Sequence, residues 1–122
     1  MGLDQYAMIR EPGEEVMYWR KHNRLQGWMT DLWMKRTGNE DTSQFNCVDL
    51  ILRSEDIDNL EKDIKDRKLP ETGGFFFGDD SYGYADNDET YEKYYLPDDM
   101  AFIKAAKEAL NEGKEVVYTC WW

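Results

Sequence analysis

The sequence predicts a single α+β domain, a mixed, mostly antiparallel sheet with about three helices packed on it. Three observations carry this. A chain of 122 residues is long enough for one core and too short for two. Segments that alternate with period two lie at both ends, and segments with a period near 3.6 lie between them. With 41% hydrophobic and 15% aromatic residues, the chain is too apolar in pattern to stay disordered.

The elements follow in order. Residues 3–10 alternate as a strand, residues 14–20 as a second, and Pro12-Gly13 between them is turn chemistry. A hairpin is expected. Leu25, Trp28, Met29, Leu32 and Trp33 repeat at i, i+3, i+4, i+7 and i+8, which predicts an amphipathic helix. Asn23 is placed to cap its start and Gly38 to stop it. Residues 45–52 read as a strand, and Ser54 as the N-cap of a second helix. Ile57, Leu60 and Ile64 form the apolar stripe of that helix, which Pro70 terminates. An acidic, tyrosine-rich loop extends to about Glu89. Pro97, Asp98 and Asp99 open a third helix in favourable dipole polarity. Its buried face is Met100, Ile103, Ala106 and Leu110, and Gly113 closes it. Residues 116–122 are apolar on both faces, which predicts an interior strand.

Charge narrows the partners. The formal net charge is -11, and residues 54–122 carry 18 acids against 8 bases. Such a surface repels a nucleic-acid backbone, so no direct DNA or RNA binding is expected. Asp79, Asp80, Asp86, Asp88 and Glu89 form an acidic surface suited to a basic partner protein. They do not fit the EF-hand template, and no metal is expected. No stretch approaches the roughly 20 apolar residues of a membrane helix. The start lacks a basic-then-apolar leader pattern, so the expected compartment is the cytoplasm. Cys47 and Cys120 have no CxxC spacing and are expected to be free, buried hydrophobes. His22 is the only histidine, too few for zinc or for a credible catalytic triad.

Two words remain. Tyr18-Trp19-Arg20-Lys21, with Trp28 nearby, sets aromatic surface beside cations. If it is a strand, Trp19 turns to the core, while Tyr18 and Arg20 face a cleft where a guanidinium grips an anion beside a ring. Gly73-Gly74-Phe75-Phe76-Phe77-Gly78 packs three phenylalanines between glycines. It lacks the phosphate-loop order GxxxxGK[ST]. The predicted ligand-binding set is Tyr18, Arg20, Lys21, Trp28, Gly74, Phe76 and Tyr82, with no catalytic residue and no cofactor.

These words, with Met1-Gly2-Leu3-Asp4, Leu69-Pro70 and a terminal tryptophan, resemble a family of small phage and prophage proteins. Its members begin MGLD and carry YWRK and SGFFFG words. Gly73 stands where that pattern has serine, and the acidic stretch at residues 82–88 is longer. Members are often labelled phosphoglycerate kinase. A two-domain kinase of that kind is several times this length, and no nucleotide-phosphate motif is present, so that activity is not expected. The resemblance implies a phage origin and leaves the biochemistry open. Two function classes follow. The first is a non-enzymatic counter-defence protein that captures a small, anionic, nucleotide-like ligand. The alternative is an acidic, DNA-mimic-like inhibitor of a basic host enzyme. Enzyme is the weaker class, and homo-oligomerisation is left open.

Overall fold

Alternation at both ends of the chain builds one four-stranded sheet. A computed structural model describes residues 3–10, 13–20, 22–70 and 89–122, with Arg20 and residues 89–91 described in their backbone alone. β1 (Asp4–Arg10) and β2 (Glu14–Arg20) pair antiparallel. Gly13 at φ 87° takes a backbone conformation that a side chain would oppose. Val16 is the extra residue of a bulge, since Ala7 pairs with Met17 but Met8 with Glu15. β4 (Glu115–Trp121) lies on the other side of β1, and β3 (Leu50–Leu52) beyond it, giving the order β2-β1-β4-β3. All three pairings are antiparallel. The last strand is interior, as its two-sided apolar character predicts.

Helices cover one face. α1 (Asn23–Thr37), α2 (Ser54–Lys65) and α4 (Leu96–Asn111) bury Leu25, Met29, Trp33, Ile57, Leu60, Ile64, Phe102 and Ile103. These meet Leu3, Ala7, Ile9, Trp19, Val116 and Tyr118 from the sheet. Trp19 sets its ring edge-on to Phe102 at 5.3 Å, and Trp33 stacks on Phe45. The opposite face carries Tyr6, Met8, Tyr18, Ile51 and Trp121, of which Tyr18, Ile51 and Trp121 are exposed.

Six local expectations are corrected. Residues 45–52 are not one strand. Thr42–Phe45 forms a 3₁₀ turn, because the Asp41 carboxylate accepts from the Ser43 N–H and hydroxyl. Only Leu50–Leu52 is strand. Cys47 is exposed rather than buried, because it stands at φ 62° in the bend that precedes β3. Cys120 is buried.

The α1 cap is His22, whose ring accepts from the Leu25 N–H; Asn23 is already helical. Ser54 is likewise the first residue inside α2, where the Asp56 carboxylate accepts from the Arg53 N–H. Pro70 does not end α2; the chain leaves the helix at Lys65 and turns at Arg67, φ 55°. In α4, Met100 and Leu110 are half-buried, while Asp99, Phe102 and Ala109 join Ile103 and Ala106 inside. Glu89–Tyr94 forms a short helix, α3, at the end of the expected loop.

Candidate functional site

Strand alternation divides the predicted ligand set. Trp19 is buried under the helices, so Tyr18 emerges on the open face of the sheet. There it donates to Asp4 Oδ1 at 2.5 Å and leans on Tyr6, with ring centroids 5.2 Å apart. Arg20 pairs with Asp4 in the register; its side chain lies outside the described residues. Trp28 belongs to α1, in the helical layer. Tyr18 and Trp28 are therefore on opposite sides of the sheet and do not share a site. Lys21, Gly74, Phe76, Tyr82, Asp79, Asp80, Asp86 and Asp88 lie outside the described residues, as does Phe75. Glu89 opens α3, with its side chain likewise outside them.

Trp28 leads to a different place. Its indole N–H donates to Asp63 Oδ2 of α2 at 2.8 Å. About two turns further along α1, Arg36 donates to Asp56, near the start of α2, and to the Ile51 carbonyl at 2.5 Å. The start of α1 thus meets the end of α2, and the end of α1 meets its start. The two helices run antiparallel and are bridged by long side chains at both ends. Between the bridges lies a cleft of about 450 Å³. Its α1 wall is Trp28, Asp31, Leu32 and Lys35, spaced i, i+3, i+4 and i+7 on one helical face. The α2 side supplies Asn59, Lys62 and Asp63, and the following chain Lys68 and Pro70.

The cleft has an uneven electrostatic character. Lys35, Lys62 and Lys68 make no ion pair among the described residues. Of the three aspartates, Asp56 is engaged by Arg36 and the Arg53 N–H, and Asp63 by Trp28. In a chain of net charge -11, a lining of three lysines and three aspartates, with Asp56 further offset by Arg36, is close to balanced and brings three ammonium groups without ion partners around one concavity. The indole supplies a flat surface whose plane Asp63 fixes. Chemically, this is a place for an anion with a planar group.

A second polar system is wholly internal. Asp99 Oδ1 accepts from Trp19 Nε1 at 3.0 Å, and Asp99 Oδ2 bonds His22 Nε2 at 2.8 Å. Because Nδ1 accepts from Leu25, the Nε2 position carries the proton. Gln5 pairs with the His22 backbone through both of its amide groups and donates to the Tyr118 hydroxyl at 2.9 Å. Tyr118 donates to Gln26, which donates to Cys120 Sγ at 3.3 Å. Burial pushes the Cys120 thiol up to about 12 and the Tyr118 phenol well above 10. Both groups are held neutral, and the network joins α1, α4 and three strands under the sheet. It has the character of scaffold rather than site, since its members are closed off from solvent.

Comparison with protein-family models, with curated proteins and with solved structures finds no match.

The sequence reading missed Lys35, Lys62 and Lys68. A signal for Lys35 was present, because it lies seven residues after Trp28 on the same helical face. Lys62 and Lys68 reach Trp28 through tertiary packing that no local pattern encodes. Among the described residues, no group of three or more His, Cys, Asp or Glu gathers for a metal, and no helix is long and apolar enough to cross a membrane. The acidic-inhibitor alternative rests mostly on residues 79–88, to which the described residues add no geometry.

Proposed function

We propose that the protein is a binding protein for a small, planar, anionic ligand of nucleotide type, taken up in the cleft between α1 and α2. One observation carries this reading: Lys35, Lys62 and Lys68 line one cleft with the hydrogen-bonded Trp28 indole and have no ion partner of their own among the described residues. Lysine ammoniums are compact charges on flexible stems, suited to phosphate or carboxylate groups without strict geometry. The expected mode is capture, because among the described residues no serine, threonine, cysteine or histidine lines the cleft. The phage-like sequence words support placing that capture between phage and host.

Thermal denaturation in the presence of nucleotides tests it. A ligand at one hundred times its dissociation constant stabilises the folded state by about 2.7 kcal/mol. The parent protein is expected to show such a shift, and the Lys35→Gln, Lys62→Gln, Lys68→Gln triple variant to lose it while melting normally without ligand. Equal shifts in both proteins, or no shift with any nucleotide, contradict the reading.

A further inference from the structure

The charges of the cleft are not spread evenly along it, and their order bears on the shape of the ligand. Lys35 lies at the end marked by the Arg36–Asp56 bridge. Lys62 precedes Asp63, the residue that holds Trp28, and the Lys68 N–H donates to the Asp63 carbonyl at 2.8 Å. Lys62 and Lys68 therefore share the Trp28 end. Seven residues of helix separate Trp28 from Lys35, about 10 Å at the helical rise. Between the two poles the lining is Asp31, Leu32 and Asn59. Asp31 makes no ion pair among the described residues. An anion in the middle of the cleft would face that carboxylate, whereas hydroxyl or amine donors would be satisfied by it.

We infer that the ligand carries two separated anionic groups joined by a neutral, hydrogen-bond-donating middle. Lys35 holds one anionic group, Lys62 with Lys68 the other, and Asp31 with Asn59 contacts the sugar between them. This deepens the proposed function and rests on it. Two phosphates separated by sugar occur in a nucleoside 3′,5′-bisphosphate and in a cyclic dinucleotide. A nucleoside 5′-diphosphate has comparable charge but places both phosphates together.

Calorimetric titration of the whole chain with four probes tests the inference: adenosine 5′-monophosphate, adenosine 5′-diphosphate, adenosine 3′,5′-bisphosphate and cyclic di-adenosine monophosphate. At least one of the two separated-phosphate probes is expected to bind about tenfold more tightly than the 5′-diphosphate, and the tighter of the two identifies the source. Lys35→Gln is expected to erase that preference. Lys62→Gln with Lys68→Gln is expected to weaken every probe. Melting temperatures without ligand verify that the variants fold. If the 5′-diphosphate binds as well as both separated-phosphate probes, and the lysine variants weaken all four alike, the two-pole inference is overturned while anion capture stands. If no probe binds, or the lysine variants bind as the parent does, both are overturned.

Discussion

Tyr118 illustrates how single residues hold this fold. Its hydroxyl receives the Gln5 amide and donates to Gln26, with the ring buried between Trp19 and Phe45. Tyr118→Phe keeps the ring and removes both bonds, leaving two buried amides short of partners. A buried polar group left unsatisfied costs about 1–3 kcal/mol, so urea denaturation is expected to show a loss in that range. A loss below about 0.5 kcal/mol would mean that Gln5 and Gln26 re-pair and that Tyr118 serves only as a ring. Cys120 makes a pH-dependent contribution of known sign. Its folded value, about 12, stands above the ordinary 9.0 because burial disfavours the thiolate. The folded state then holds the proton more tightly, so this contribution is complete below pH 9 and is lost as pH rises toward 12. The urea midpoint is expected to fall above pH 9, and to fall less steeply in Cys120→Ala. Identical pH profiles for the two proteins would contradict the assignment. At pH 8 a thiol reagent is expected to modify Cys47 in the native protein and Cys120 only after unfolding.

At the scale of elements, α1 shows what periodicity encodes and where it stops. Leu25, Met29 and Trp33 of the stripe face the core, Trp28 and Leu32 are half-buried and line the cleft, and Gly38 ends the helix at φ 71° with its N–H on the Met34 carbonyl. A methyl group at Gly38 would meet no atom within 4 Å. Gly38→Ala therefore costs only the left-handed backbone conformation, about 1–2 kcal/mol, with Gly38→Asn closer to the parent. A neutral Gly38→Ala would mean that the helix can end another way. Elements with a strong period of their own, namely β1, β2, α1, α2, α4 and β4, were legible in the sequence. Those decided by tertiary partners were not. His22 caps α1 because Asp99, 77 positions away, holds its ring, and no local rule selects it over Asn23. Residues 45–52 carry strand-like composition, but the Asp41 carboxylate draws the preceding chain into a 3₁₀ turn, and the Asn46 side chain clamps both backbone groups of Trp122. Of the described members of the predicted set, Trp28 lines the candidate cleft and Tyr18 does not. The lysines beside Trp28 come from α1, α2 and the chain after α2 rather than from the Tyr18 word, because strand alternation sends Tyr18 to the far side of the sheet.

For the whole molecule, the sheet separates two surfaces. The helical side bears the cleft with its three lysines, and the open side bears Tyr6, Tyr18, Ile51 and Trp121. The proposed binding at the cleft would be an encounter between an anion and a chain of net charge -11. Salt screens both the general repulsion and the local lysine attraction. At contact distance the local lysines dominate, so affinity is expected to weaken as sodium chloride rises from 0.05 to about 0.5 M. Affinity that strengthens with salt would point to a site without the lysines. The most direct test of the central claim is the amide ¹H–¹⁵N spectrum titrated with the tightest nucleotide. The expected perturbations gather on Asp31, Leu32, Lys35, Asn59, Lys62 and Lys68, with Tyr6, Tyr18 and Thr119 unmoved. Perturbations gathered instead on the open sheet face, or absent at saturating nucleotide, would contradict the claim.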